Sequence, residues 1–136
     1  MIEISYILIE TLCHATEDED KVLAALARIY PDFEKKELTG YFGNPITLFK
    51  ARITRNSEIS CIVDILTKNI GPQLKNDFKR RVDTKGNLYI RLDKQELYQS
   101  NYVLEDNGDI KIVIHIQSYP FRAEETIPYA QKIFGH

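Results

Sequence analysis

Lysine and arginine side chains gather in one stretch of this chain, where together they could bind a polyanion. Between Lys50 and Lys94 there are eleven Lys/Arg and five Asp/Glu, a local charge of +6, whereas the whole chain carries −2. Cations at this density bind a polyanion by releasing its counterions, even when the overall charge of the protein is negative. The stretch therefore indicates polyanion binding, with an ordinary solvated charged face as the alternative.

Carboxylates within the same stretch offer a second kind of chemistry. Asp64, Asp77, Asp83 and Asp93 could in principle hold magnesium for phosphodiester cleavage. Their spacing matches no metal-binding motif, so the sequence predicts neither a bound metal nor a cofactor.

The cysteine and histidine residues give little support to catalysis. Cys13 and His14 are neighbours in a predicted strand and point to opposite faces, so they cannot form a nucleophile and base pair. Cys13 and Cys61 are too few for a disulfide framework and are expected to be two buried thiols. We therefore predict a protein that is not an enzyme.

Length and composition are those of a single globular domain. The 136 residues are 43% hydrophobic and 28% charged, with no linker, low-complexity tract or repeat, so one domain over residues 1–136 is expected. No apolar run approaches the roughly 20 residues that span a bilayer. The sequence also lacks a charged leader, so we expect a cytoplasmic location.

In the first half of the chain, the hydrophobic pattern predicts three strands and one helix. A strand over 2–14 is apolar on both faces at its middle, which is typical of a central strand covered on both sides. Thr16 and Glu19 have capping-box spacing, and Pro31 would end the helix that they begin. Strands over 33–38 and 46–54 would form a hairpin.

The second half alternates helices and strands around the basic stretch. Asn56 would cap a helix that ends at Gly71-Pro72, and a further helix over 72–82 places Lys75 and Lys79 one turn apart on a basic outer surface. A turn at 85–87 leads into a strand over 88–93. Asp93 would cap a short helix over 95–98, followed by a strand over 110–117 and a terminal helix.

These elements predict a basic surface formed by a helix, the following turn and the outward side of a strand. Tyr89 and Tyr98 could add stacking faces to it, whereas Lys50, Arg52 and Arg55 are assigned to an ordinary solvated edge. The predicted cations of the surface are Lys75, Lys79, Arg80, Arg81, Lys85, Arg91 and Lys94.

The turn between the two hairpin strands is a second candidate contact. Gly43 and Asn44 tolerate positive φ, and Pro45 forces the preceding residue toward extended geometry, so a sharp reversal accounts for all three. The functional alternative is that amides of this turn, at Asn44, meet a phosphate while Tyr41 or Phe42 offers a stacking face. No P-loop lysine is present, so nucleotide hydrolysis is not predicted.

Three blocks together resemble an archaeal family of small predicted RNA-binding proteins that were once labelled candidate exosome subunits. The blocks are Gly40-Tyr41-Phe42-Gly43-Asn44-Pro45-Ile46, Arg91-Leu92-Asp93-Lys94-Gln95 and Tyr119-Pro120 before the terminal helix. The resemblance implies an α+β domain similar to ribosomal protein L-five, with a largely antiparallel sheet, helices packed on it in two layers, and RNA as the partner. Family members often carry His where this chain has Tyr41.

We therefore expect a non-catalytic RNA-binding protein that contacts the phosphate backbone, accessory to RNA processing by the exosome or to the ribosome, and in contact with a protein partner there. Two alternatives remain: a module that docks an acidic protein, and a magnesium-dependent nuclease.

Overall fold

The computed structural model describes residues 2–40, 43–118 and 120–134, which form five strands and five α-helices. The strands are β1 (Ile2–His14), β2 (Glu34–Thr39), β3 (Pro45–Ile53), β4 (Asn87–Leu92) and β5 (Ile110–Ser118). The helices are α1 (Glu19–Leu26), α2 (Asn56–Leu74), α3 (Phe78–Arg81), α4 (Lys94–Tyr98) and α5 (Thr126–Phe134), with a 3-10 turn at Ala123–Glu125.

All five strands join one antiparallel sheet in the order β2-β3-β1-β5-β4. The predicted hairpin is confirmed, because β2 pairs with β3 in a register that runs from Glu34 opposite Lys50 to Thr39 opposite Pro45. The α+β class and the antiparallel sheet are therefore those expected from the sequence.

The first strand is central, as predicted, but its two faces are not equally buried. Ile7 and Ile9 are fully buried, whereas Tyr6 and Leu8 on the other face are only half-buried. Successive side chains of a strand alternate between faces, so one face of β1 lies in the core and the other is only partly covered. The prediction of complete cover on both sides is wrong.

Contacts between residues divide the chain into two compact units. The first unit contains residues up to Leu8, Arg52–Ile90 and the residues from Ile112 onward, and the second contains Ile9–Ala51 and Arg91–Lys111. Strands β1, β3, β4 and β5 contribute residues to both units. The single domain over residues 1–136 stays a prediction.

In the first unit, α2 supplies the main apolar stripe. Its buried side chains recur at helical spacing, and α2 packs against α5. The rings of Phe78 on α3 and Phe134 on α5 lie 6.2 Å apart and are both buried. The stripe consists of Ile59, Ile62, Leu66, Ile70 and Leu74.

The predicted break at Gly71-Pro72 is wrong, because α2 continues to Leu74 with Pro72 inside it. Gly71 is buried, and a Cβ there would lie only 2.7 Å from the Phe134 carbonyl oxygen of α5. This glycine therefore allows close helix packing and does not end the helix. The predicted helix over 72–82 is absent, and its place is taken by the end of α2, a turn and the four residues of α3.

In the second unit, α1 begins later and ends earlier than predicted. Its cap is Asp18, whose side chain accepts from the N–H groups of Asp20 and Lys21, so the predicted box that starts at Thr16 is wrong. The helix ends at Leu26, four residues before Tyr30, and α1 packs against α4.

The remaining elements lie within two residues of their predicted bounds, and the Asp93 cap of α4 is confirmed by its bond from the Glu96 N–H. The predicted Asn56 cap of α2 is wrong, because the N-cap is Arg55, whose side chain makes no capping bond. Cys13 is buried, but Cys61 is exposed on the outer face of α2, so the prediction of two buried thiols is wrong for Cys61. Among the described residues, no helix is both long and apolar enough to cross a membrane.

Candidate nucleic-acid interface

The turn before α3 is organised by one carboxylate. Asp77 accepts from Arg80 Nε at 2.7 Å and from Arg81 Nε at 2.8 Å. The bond from Arg80 lowers the pKa of Asp77, and the bond from Arg81 adds to this against the opposing effect of burial. Arg81 is 8% exposed while the Arg80 side chain is 54% exposed, so Arg80 presents its cation to solvent and Arg81 is held inside.

Two lysines flank this turn on different helices. Lys75 is the C-cap of α2, where its N–H donates to the Gly71 carbonyl at 3.0 Å, and Lys79 lies in α3. Both are exposed. The prediction that they stack one turn apart on a single helix is wrong, because α2 ends between them.

Lys85 is presented by a tight turn that Asp83 closes. One carboxylate oxygen of Asp83 accepts from the backbone N–H groups of Lys85 and Asn87, and the other accepts from the Asn87 amide and the Tyr89 hydroxyl at 3.0 to 3.1 Å. Burial opposes ionisation of Asp83, but these bonds outweigh it and lower its pKa. Gly86 completes the turn with φ of 90°, a conformation that favours glycine.

In the second unit, the predicted cations are engaged within the protein. Arg91 Nη1 donates to the Gly108 carbonyl at 3.1 Å, although Arg91 remains exposed. The Lys94 side chain is 9% exposed and its ammonium lies 2.8 Å from both the Leu12 carbonyl and the Glu17 carboxylate. Burial opposes the charge on Glu17, but the bond from Lys94 helps to lower its pKa.

The hairpin turn has the predicted form where it is described. Gly43 has φ of 80°, and the Gly40 N–H donates to the Asn44 carbonyl at 2.6 Å, so turn geometry accounts for these residues. Asn44 is exposed. Tyr41 and Phe42, the predicted stacking residues, lie outside the described residues.

The predicted contact residues that the structure describes thus divide between the two units. Lys75, Lys79, Arg80, Arg81 and Lys85 belong to the first unit. Asn44, Arg91 and Lys94 belong to the second.

Charge divides between the units in the same way. The first unit has ten Lys/Arg and seven Asp/Glu, a net charge of +3, while the second has eight and thirteen, a net charge of −5. The residues from Lys75 to Lys85, which we name the basic segment, carry four exposed or half-exposed cations. A polyanion is therefore attracted more strongly by the first unit than by the second.

From the sequence, Asp77 and Asp83 are possible metal ligands, whereas the structure gives them arginine, amide and hydroxyl partners within the protein. A sequence signal existed for Asp77, since Arg80 and Arg81 follow it by three and four residues, the spacing of ion pairs on a helix. Within residues 2–40, 43–118 and 120–134, no three His, Cys, Asp or Glu side chains converge as metal ligands would.

Known proteins resemble this chain both in sequence and in structure. The chain is 34% identical over 134 residues to RNA-binding protein PAB1135 of Pyrococcus abyssi, and the match covers 89% of this chain and 87% of the relative. Uncharacterized protein MJ0213 of Methanocaldococcus jannaschii is 35% identical over 118 residues, covering 76% and 78% of the two chains.

Among solved structures, Mth689, a DUF54 protein from Methanothermobacter thermautotrophicus, superposes with a TM-score of 0.84. The two sequences are 30% identical, and the match covers 96% of this chain and 98% of that one. A family model described as RNA binding matches residues 6–118. The chain therefore belongs to this RNA-binding family.

Proposed function

We propose that the protein binds RNA without cleaving it, and that Lys75, Lys79, Arg80 and Lys85 of the basic segment contact the phosphate backbone. The observation that carries the proposal is the concentration of exposed cations on eleven consecutive residues of the positively charged unit. The description of the family and the name of the Pyrococcus relative support RNA as the polyanion.

The geometry of the basic segment suits contact with phosphates and not a reading of bases. Two lysines and one arginine surround the Asp77 turn, and the Asp83 turn holds Lys85 in a fixed position. Lysine binds phosphate as a point charge without directional matching, so such contacts position an RNA and carry no sequence information. Binding should therefore depend on salt more than on sequence.

The buried cations have a smaller part in this proposal than the sequence suggested. Arg81 and Lys94 each form an ion pair inside the protein, with Asp77 and Glu17 respectively. Both side chains are buried, so moving either to a phosphate would break its ion pair and expose the side chain. We therefore assign both a structural role, and Arg91 and Asn44 remain exposed candidates outside the basic segment.

A salt series tests the proposal. The triple variant Lys75→Gln, Lys79→Gln and Lys85→Gln is compared with wild type for binding of a fluorescent single-stranded RNA across a range of salt concentrations. Each lost phosphate contact reduces the slope of log K against log salt by about 0.7, so three contacts reduce it by about 2.

The matched control removes three lysines from the second unit, as Lys21→Gln, Lys36→Gln and Lys50→Gln. Both triple variants take the net charge from −2 to −5, because each loses three positive charges. The proposal requires the first triple variant to lose more affinity and more slope than the control. Equal losses would mean that net charge alone is responsible, and an unchanged slope in the first variant would refute the proposal.

The same experiment separates the two alternatives. A nuclease would degrade the RNA when magnesium is added, and replacing Asp64, Asp77, Asp83 or Asp93 would abolish that activity. A module for an acidic protein would keep its partner in the presence of excess competitor RNA. The proposal also includes a cellular role: the protein would be accessory to the exosome or the ribosome and would contact a protein partner there. A fold similar to that of ribosomal protein L-five is part of the same proposal.

A further inference from the structure

A row of side chains crosses four strands on the partly open face of the sheet. The Arg52 guanidinium of β3 lies 4.3 Å from the centre of the Tyr6 ring of β1. That ring stacks on His115 of β5, with ring centres 5.0 Å apart and planes inclined by 17°. His115 Nδ1 lies 2.7 Å from Asn87 Oδ1 of β4. We name these four residues the aromatic row, and all of them belong to the first unit.

The aromatic row faces away from the core. Its strand neighbours Ile7, Ile53 and Ile116 are buried, and alternation along each strand places the row on the opposite face. Arg52 is exposed, while Tyr6, His115 and Asn87 are half-buried. Tyr89, two residues along β4 from Asn87, is 38% exposed and lies on the same face.

Hydrogen bonds fix one end of the row. The Asn87 amide nitrogen donates to Asp83 at 3.1 Å, so its amide oxygen is the acceptor that faces His115. The neutral imidazole therefore carries its proton on Nδ1, which leaves Nε2 as a hydrogen-bond acceptor. Asp83 also holds the Tyr89 hydroxyl at 3.0 Å. The row is preorganised, so a ligand that stacks on it would order few further side chains.

We infer that the aromatic row binds nucleobases of single-stranded RNA, a claim that rests on the proposed function and adds base contacts to it. A base can stack on an aromatic ring or on a guanidinium plane. Arg52 and His115 already cover the two faces of the Tyr6 ring, so the stacking plane that the row presents to a base is the exposed Arg52 guanidinium. A sheet face gives bases access only when they are not paired in a duplex. Charge agrees with an RNA occupant, since Arg52 lies at one end and Lys85 precedes Asn87 by two residues at the other. The single carboxylate among these contacts, Asp83, has both oxygens held by donors.

The basic segment leads directly into this row, because its last residue is in the turn that begins β4. Phosphates at Lys85 and bases at the row are therefore compatible with one strand of RNA that crosses from the turn onto the sheet. This arrangement predicts two separable contributions to the affinity for RNA. The contribution of the lysines depends on salt, and the contribution of base stacking does not.

Two probes and two variants test the inference. The probes are a ten-nucleotide single-stranded RNA and the same backbone with abasic sites, titrated into wild-type protein at several salt concentrations. Wild type should bind the base-containing strand about 5- to 150-fold more tightly, the range expected from stacking of one base. Tyr6→Leu, which removes the ring on which the Arg52 guanidinium lies, should abolish most of this difference and leave the salt slope unchanged, while Tyr6→Phe, which keeps the ring, should preserve it.

The outcomes distinguish this inference from the proposed function. Equal binding of the two probes by wild type, with a steep salt slope, overturns base stacking and leaves phosphate binding intact; no salt-dependent binding of either probe removes both claims. If Tyr6→Leu fails to fold, the two probes on wild type still decide. If Tyr6→Leu instead converts an oligomer to a monomer in sedimentation and leaves RNA affinity unchanged, the row is a protein interface and the inference is wrong.

Discussion

Replacing Lys94 by methionine tests whether this lysine stabilises the fold or contacts RNA. The Lys94 ammonium donates to the Leu12 carbonyl at 2.8 Å and pairs with the Glu17 carboxylate at 2.8 Å. The side chain of Lys94 is 9% exposed and that of Glu17 is 30% exposed. Methionine keeps most of the apolar stem but leaves both acceptors without this donor.

The size of the effect follows from these contacts. Removing one partner of a buried ion pair costs about 3–5 kcal/mol, and leaving a buried acceptor without a donor costs about 1–3 kcal/mol. Glu17 keeps a bond from the His14 N–H at 3.1 Å and is partly open to water, which reduces the loss. We expect Lys94→Met to lower the free energy of unfolding by about 2–3 kcal/mol.

Urea unfolding followed by circular dichroism measures this loss. The control is Lys68→Met, an exposed lysine of α2, whose substitution should change the free energy by no more than about 0.5 kcal/mol. The slope of RNA affinity against salt should be the same for Lys94→Met as for wild type. A variant as stable as wild type whose slope fell by about 0.7 would show Lys94 to be a phosphate contact and would refute this assignment.

Three further local features are tested by substitution. Asp83→Asn should make the stability of the protein less sensitive to acid. The pKa of Asp83 is lowered in the folded protein, so its carboxylate contributes stability that is present above its ordinary pKa of 3.8 and is lost as the pH falls below that value. The free energies of unfolding from urea titrations near pH 7 and pH 3 should therefore differ less in the variant than in wild type, and an equal difference would contradict this. Gly86→Ala should cost more than about 1 kcal/mol, because φ is 90° and a Cβ would collide with the Ile116 carbonyl; a melting temperature equal to wild type would show that the turn relaxes freely. Asp18→Ala should cost about 0.5–2 kcal/mol as the loss of a helix cap, while Thr16→Ala should have almost no effect, and the reverse order would restore the box predicted from sequence.

Elements with a strong local pattern were predictable. Ile110, Ile112, Ile114 and Ile116 occupy every second position, and they form one buried face of β5. The Asp93 cap of α4 was also predictable, because an N-cap depends on residues within one turn.

Helix ends were less predictable where they depend on distant contacts. Gly71 looks like a helix terminator, but its missing side chain makes room for the Phe134 carbonyl of α5, 63 residues later. Leu74 is fully buried, so continuing α2 past Pro72 extends the apolar stripe by one position. That packing outweighs the loss of one backbone hydrogen bond at the proline. No residue near Gly71 in the sequence indicates that the helix continues.

The candidate binding surfaces were also predictable only in part, because they depend on contacts between residues that are distant in the sequence. Counting charges located the basic segment, but it could not reveal that Arg81 and Lys94 are buried in ion pairs. The aromatic row was missed because Tyr6, Arg52 and His115 meet only through the strand order, with β1 between β3 and β5. The sequence of β3 alone favours a solvated edge for Arg52.

The outermost strand of the hairpin affects the behaviour of the protein at high concentration. All six residues of β2 are exposed, it is the last strand on its side of the sheet, and four of its side chains are charged. An edge strand offers unpaired backbone groups to other chains, and charged side chains make such pairing unfavourable. Because β2 buries no side chain, replacing its charged residues with neutral ones would lower folding stability little but would favour aggregation. Resistance to fibre formation and folding stability are thus controlled by different residues of this chain.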